Sequence, residues 1–286
     1  MSQQQQGFID LSAADYHADK ISEQPTLSSS VAQVLVTHSP LHAWFAHPRL
    51  NPNYTSQEKD TFDYGTAAHA MLLEGSQAGL IVVEADDWRT KAARELKERA
   101  RLEGKTPILA RQLAKVERMA KTAKEFIETT ELAGIFSDGR PEQAIVFKVG
   151  GVLCRARLDW ITNDNKIVLD YKSTGDASPE AFSRQIPKMD YHFQECFYQA
   201  GVEDATGDVP QFFFLAQETE PPFACSLHGT SAAMQEVALS QFDRACRLWA
   251  QCLSTGQWPG YGTSVHYAEP PTWMMAEHEA HLQEAA

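Results

Sequence analysis

The sequence predicts an α/β domain: a mixed central sheet with an antiparallel three-strand meander, flanked by helices. Three observations predict it. Glu142–Val149, Val152–Ile161 and Lys166–Lys172 are rich in β-branched residues. Gly150-Gly151 and Thr162-Asn163-Asp164-Asn165 separate them, and both are turn sequences. Strong helix formers stand before the meander, and helices and a second strand pair follow it, so both kinds of element share one core.

In chain order, residues 1–9 read as a flexible N-terminus, glutamine-rich at its start. A single domain is expected over 10–260. It opens with a helix around Ser12–Ala18 and a second near Ser28–Ser30, with apolar Val31, Leu35 and Val36. Residues 46–60 are a Pro/Asn-rich loop, 61–73 a helix and 80–84 a short strand. Residues 88–103 and 108–131 are helix formers broken by Gly104 and Pro107. After the meander come helices at 178–186 and 190–201, strands at 211–217 and 223–228, and a long amphipathic helix over 231–254. Residues 261–286 read as an irregular tail.

Composition narrows the function classes. No apolar run approaches the roughly 18 residues a membrane span needs. The first ten residues have neither a basic region nor an apolar one, so no secretory signal is expected, and the expected location is cytoplasmic. The five cysteines are scattered without a CxxC, which suits reduced thiols and not a Cys-ligated zinc or iron–sulfur site. The net charge of −13 disfavours a nucleic-acid partner. The charge is segregated, however. Trp88–Lys124 holds 12 Lys and Arg against 4 Glu, a net of +8, which leaves −21 on the remainder. That block is either a pair of solvated helices or a cationic surface.

Cys154–Thr174 is the most informative segment. Side chains alternate along a strand, so Asp170 and Lys172 share one face while Ile167, Leu169 and Tyr171 take the other. If the turn is centred between Asn163 and Asp164, opposed residue numbers sum to 327. Arg157 then faces Asp170, Arg155 faces Lys172 and Asp159 faces Val168. Asp159 and Asp170 become a diagonal pair, roughly 7–8 Å apart at Cβ. Two carboxylates so placed can share a divalent cation. The plain alternative is a strand with one solvated polar face.

Asp159 followed by Asp170-Tyr171-Lys172 resembles the split D…(D/E)xK signature of the PD-(D/E)xK nuclease superfamily. His69 in the small-residue stretch Gly65–Glu74, and Gln194-x-x-x-Tyr198 downstream, are similar to its RecB-like, Cas4-like and RecE-like members. Asp15-Tyr16-His17, Ser28–Ser30, Ser39-Pro40 and Trp44 resemble the RecE-like exonucleases of phages and prophages (the exodeoxyribonuclease VIII type) in order and spacing. The likeness covers roughly residues 10–230. The first motif, Arg157-Leu158-Asp159, lacks the superfamily's proline.

The resemblance implies a restriction-endonuclease-like core and a bacterial or phage enzyme. It implies metal-dependent 5′→3′ hydrolysis of linear double-stranded DNA from its ends, leaving 3′ overhangs for recombination. No P-loop signature is present, which agrees with ATP independence. Asp159 and Asp170 are the implied metal ligands, with the Tyr171 carbonyl and His69. Hard oxygen donors suit one or two Mg²⁺ or Mn²⁺ ions. Lys172 is the implied catalytic lysine. Gln194 and Tyr198, at i and i+4 on a helix capped by Asp190, contact substrate or support Lys172. Arg155 and Arg157 are candidate phosphate contacts or neutralise the acids. Glu74 and Glu142 are candidates to support the site from behind. A homo-oligomeric ring and a single-strand annealing protein are the implied partners. The rival readings are a Cas4- or RecB-like single-strand nuclease without an iron–sulfur cluster, and a catalytically silent DNA-binding scaffold.

Overall fold

The structure is a computed structural model describing residues 6–55, 64–75, 80–103 and 105–284. Its expected class holds. Seven strands form a mixed sheet: β1 (Gly7–Ile9), β5 (Gly139–Val149), β6 (Val152–Thr162), β7 (Ile167–Thr174), β8 (Gln211–Glu218) and β9 (Cys225–His228) in that order, with β2 (Leu27–Ser28) on β6. β5, β6 and β7 are the antiparallel meander, while β7–β8 and β2–β6 run parallel. Gly150 and Gly151, with φ of 56° and 85°, make the tight turn between β5 and β6.

Helices cover both faces. On one side, α2 (Ser29–Thr37), α8 (Tyr191–Thr206) and α9 (Ala232–Thr255) enclose the larger core, with Phe147, Phe193, Phe197, Phe214, Phe242 and Trp249. A Cβ on Gly201 would sit 2.9 Å from the Phe147 ring, so glycine lets α8 lie close on β5. On the other side, α4 (Tyr64–Leu73) and α6 (Ala110–Ile127) enclose a smaller core with Leu169, Tyr171 and Leu215. β7 therefore divides as alternation requires: Val168 faces the larger core, Leu169 and Tyr171 the smaller. Ser28, Ser39, Ser178 and Ser231 cap α2, α3 (Pro40–Ala46), α7 (Pro179–Lys188) and α9.

Several expectations are corrected. Residues 7–9 are not a flexible end, because their backbone pairs with β5 at Gly7↔Val146. The helix expected over 108–131 yields its start to β4 (Thr106–Leu109), which pairs in parallel with β3 (Leu80–Val83). α5 (Lys91–Leu102) is the crossover between these two strands. The tail is not wholly irregular, since α10 (Thr272–Glu284) forms there with no buried residue. Asp190 precedes α8 at φ 53° but makes no side-chain capping bond. Part of the loop expected over 46–60, and residues 61–63 of the following helix, lie outside the described residues. Among the described residues, no helix is long and apolar enough to cross a membrane.

Candidate metal centre

The site forms where the sheet forks. β6 pairs with β7 only at Trp160↔Leu169 and Ile161↔Val168, while its other end pairs with β2 at Leu27↔Cys154 and Ser28↔Arg155. The opposed residue numbers sum to 329, which corrects the expected 327. Thr162, Asp164 and Lys166 fold the turn into a wider loop: the Thr162 hydroxyl donates to Asp164 and accepts from the Ile167 N–H. A shift of two by itself moves no side chain to the other face. It moves Asp159 from opposite Val168 to the level of Asp170. There the strands part, and the Tyr171 N–H donates to Asp159 Oδ2 at 2.9 Å instead of to a strand partner.

The other neighbour of β6 yields at the same point. Glu142 has φ 51° and drops out of the ladder between Pro141↔Trp160 and Gln143↔Leu158. Leu158 and Trp160, two residues apart, lie in different cores, so alternation slips at Asp159. Both irregularities aim acids at one place, where α4 brings His69. Its Nε2 is 3.1 Å from Asp159 Oδ2 and its Nδ1 3.4 Å from Glu142 Oε1. One ligand atom from each of His69, Glu142 and Asp159 lies within 4.8 Å of the others. The other Glu142 oxygen meets Arg157 Nε at 2.5 Å.

Beside this cluster, Asp170 is fully buried and its Oδ1 faces the Lys172 ammonium at 2.5 Å. Gln194 on α8 joins three groups. Its Oε1 accepts from Lys172 at 2.9 Å, and its amide donates to Asp170 Oδ2 at 3.1 Å and to the Tyr198 hydroxyl at 3.0 Å. Lys172 also lies over the Tyr191 ring, 4.8 Å from its centroid.

Electrostatics separate the two aspartates. Burial and the nearby Asp159 charge push Asp170 up to about 7, although Lys172 opposes them. Asp159 stays below the usual carboxylate range: burial raises it, but His69, Lys172 and the Tyr171 N–H outweigh burial. Burial and Asp159 raise Glu142. Burial disfavours the His69 cation, yet Asp159, Glu142 and Asp170 together push it up to about 9. Burial also disfavours the Lys172 cation, and Asp170 and Asp159 more than compensate, so it stays charged. The donor set of carboxylates and one imidazole fits a divalent cation of the Mg²⁺ or Mn²⁺ kind. A cation held by this imidazole would have to displace the His69 proton.

Other candidates fall elsewhere. Arg155 is buried, and its guanidinium is held by Asp19 Oδ1 at 2.9 Å and the Thr26 carbonyl at 2.6 Å. It ties the N-terminal segment to β6. Arg157 neutralises Glu142. Glu74 is exposed just past α4, and its charge acts on Glu142 through space. Two neighbours were missed. Tyr191 stands three residues before Gln194, a spacing that could have found it. Gln217 on β8 accepts from the Tyr171 hydroxyl at 2.7 Å and donates to the Met119 carbonyl at 2.9 Å. An amide in a strand gives no sequence signal.

A family model described as a PDDEXK-like domain of unknown function (DUF3799) matches residues 38–270, well over half of the chain. No curated protein matches the sequence. A solved structure described as a "Putative exonuclease" from Eubacterium rectale is similar in fold. Its TM-score is 0.57 at 12% identity, over 94% of this chain and 98% of that one. A phage-related exonuclease from Haemophilus somnus overlaps less, with a TM-score of 0.31 at 12% identity over 67% of this chain and 95% of that one. The fold comparison rests on the first of these.

Proposed function

Because the chain belongs to this PDDEXK-like family, we propose that it is a metal-dependent exodeoxyribonuclease acting on linear double-stranded DNA. The observation that carries the reading is the fork. His69, Asp159 and Glu142 converge there, beside a buried Asp170–Lys172 pair held by Gln194. A scaffold has no use for an aspartate that burial, with a second acid beside it, raises toward neutrality. That disfavours the silent-scaffold reading.

His69, Asp159 and Asp170 would hold a divalent cation, with the Tyr171 carbonyl beside them. A bound cation supplies polarisation of a phosphate and a more acidic water. The protein's own groups do the rest. Gln194 and Asp170 fix the Lys172 ammonium, which orients the attacking water and offsets charge growing on the phosphate. Glu142, itself held by Arg157, fixes the His69 ring through Nδ1 and leaves Nε2 for the cation. The 5′→3′ direction, the 3′ overhangs, ATP independence, the ring and an annealing partner come from the family resemblance and belong to the same proposal.

The test is digestion of 5′- and 3′-end-labelled linear duplex, beside a covalently closed circle, with Mg²⁺, with Mn²⁺ and with chelator. Stepwise, metal-dependent loss of the 5′ label with the circle intact is expected. Cutting of the circle would replace the exonuclease reading with an endonuclease. No cutting in any arm would overturn the nuclease reading.

A further inference from the structure

The cationic block falls within β3, α5, β4 and α6, a two-stranded sheet with its crossover helix joined to the main sheet through α6. Its charge has an ordered placement on α6. The buried face of that helix (Val116, Met119, Ala120, Ala123) packs with Ala67, Ala68, Met71 and Leu72 of α4, the helix that carries His69. Gln217 fastens the same face to the catalytic strand by joining Met119 to Tyr171. The opposite face exposes Arg111, Arg118, Lys121 and Lys124. Positions 111 and 118 lie seven apart, and 118, 121 and 124 follow at three-residue steps, so the four form one broad stripe. α5 adds exposed Lys91, Arg94 and Arg99. Packed helix axes lie about 8–10 Å apart, so the stripe, on the far side of α6, lies more than one helix diameter from α4.

We propose that this stripe on α6, continued by α5, is the surface that grips the phosphate backbone of duplex DNA beside the metal centre. The proposal rests on the nuclease reading above. A duplex carries about one negative charge per 1.7 Å of axis, so it needs a row of cations and not a single one. The rest of the chain carries −21 against +8 in Trp88–Lys124. Repulsion elsewhere therefore leaves this block as the face that attracts a polyanion. Exposed Glu117 and Glu125 on α6 and Glu95 and Glu98 on α5 share this surface but are outnumbered by its cations and do not cancel them. Lys91–Glu95 and Lys121–Glu125 are exposed pairs at 3.7 Å, which water and phosphate readily displace.

The test measures binding of a blunt fluorescent duplex to the full-length protein by anisotropy, without divalent metal, over a series of salt concentrations. The triple variant Arg118→Gln/Lys121→Gln/Lys124→Gln is compared with Arg184→Gln/Arg244→Gln/Arg247→Gln. The second set removes equal charge from exposed sites on α7 and α9. The log–log salt slope should become shallower by about 2 to 3 in the first variant, since each lost phosphate contact removes about 0.9. The control should keep the wild-type slope. Equal slopes in the two triples, or an unchanged slope in the first, overturn the proposal. If circular dichroism shows the first triple misfolded, the single variants Lys121→Gln and Lys124→Gln should each remove about 0.9. Absence of metal-dependent cleavage by the wild type overturns the nuclease reading, a different outcome from a misplaced binding surface.

Discussion

At the scale of the residue, Lys172 is the group whose role separates catalysis from charge balance. Its ammonium touches Asp170 and Gln194 and lies over Tyr191. If it serves the transition state, Lys172→Ala should bind metal and DNA yet turn over roughly 10²–10³ more slowly. Single-turnover cleavage at saturating Mg²⁺, beside a calorimetric metal titration, checks this. Activity restored by raising Mg²⁺ would make the lysine structural. Asp170→Asn should abolish cleavage without unfolding the protein, because burial and repulsion from Asp159 already disfavour its charge, and Asp159→Asn should abolish cleavage while its amide oxygen still accepts from the Tyr171 N–H. Mn²⁺ should raise the melting temperature of the wild type, as any ligand of the native state does, and lose that effect in Asp159→Asn. Equal melting shifts in both proteins would place the cation elsewhere. Much of this site was legible in sequence, since Asp170 and Lys172 on one strand face follow from alternation alone. His69 was reached only through resemblance, because a histidine among alanines has no intrinsic meaning. Gln217 was invisible, because its role lies in two partners, Tyr171 and Met119, far from it in sequence.

At the scale of the element, the fork in the sheet makes the site, and the fork depends on what holds its prongs. Gln217 joins β7, β8 and α6 through one amide. Gln217→Leu would remove the Tyr171 hydroxyl's bond to the amide oxygen and the amide's bond to the Met119 carbonyl, at about 0.5–1.5 kcal/mol each. A lower melting temperature is expected, with kcat falling more than the affinity for DNA, since Tyr171 sets both the backbone N–H on Asp159 and the ring beside His69. Unchanged kcat in a destabilised variant would confine Gln217 to stability. The meander was legible because its turns are marked by glycine and asparagine. The register was misjudged by two because turn length depends on how Thr162 and Asp164 bond, which composition does not reveal. β4 was missed because four residues before a helix look like its first turn until β3 is beside them. Glu142 at φ 51° had no forerunner in the sequence, since nothing local requires a glutamate to adopt it.

At the scale of the whole molecule, a second buried polar centre ties the N-terminal segment to the sheet. Asp19, fully buried, accepts from the Thr26 N–H at 3.0 Å and pairs with Arg155. Fully buried His47 stands between this centre and Trp249 of α9. Its Nε2 faces the Thr26 carbonyl at 3.1 Å, while its Nδ1 accepts the Arg49 and Leu50 N–H groups at 3.2 and 3.3 Å. Only the neutral ring with its proton on Nε2 satisfies all three, since a second proton on Nδ1 would point at two donors. Burial lowers His47 to about 4, with Arg155 and Arg49 adding to burial against the opposing pull of the Thr26 carbonyl and Asp19. The unfolded chain binds this proton near 6.5, the folded chain only near 4. The stabilisation is thus complete above pH 6.5 and is lost as pH falls through that window, by at most about 3 kcal/mol at 1.4 per unit. Other groups titrate there too, so the measurement is a difference: melting temperature from pH 7 to pH 4 for the wild type and for His47→Gln, whose amide can still donate to Thr26. The variant should begin less stable and lose less between pH 6.5 and 4. Parallel curves would show that acid acts elsewhere, on the carboxylates of the metal centre and the surface, and that His47 contributes packing alone.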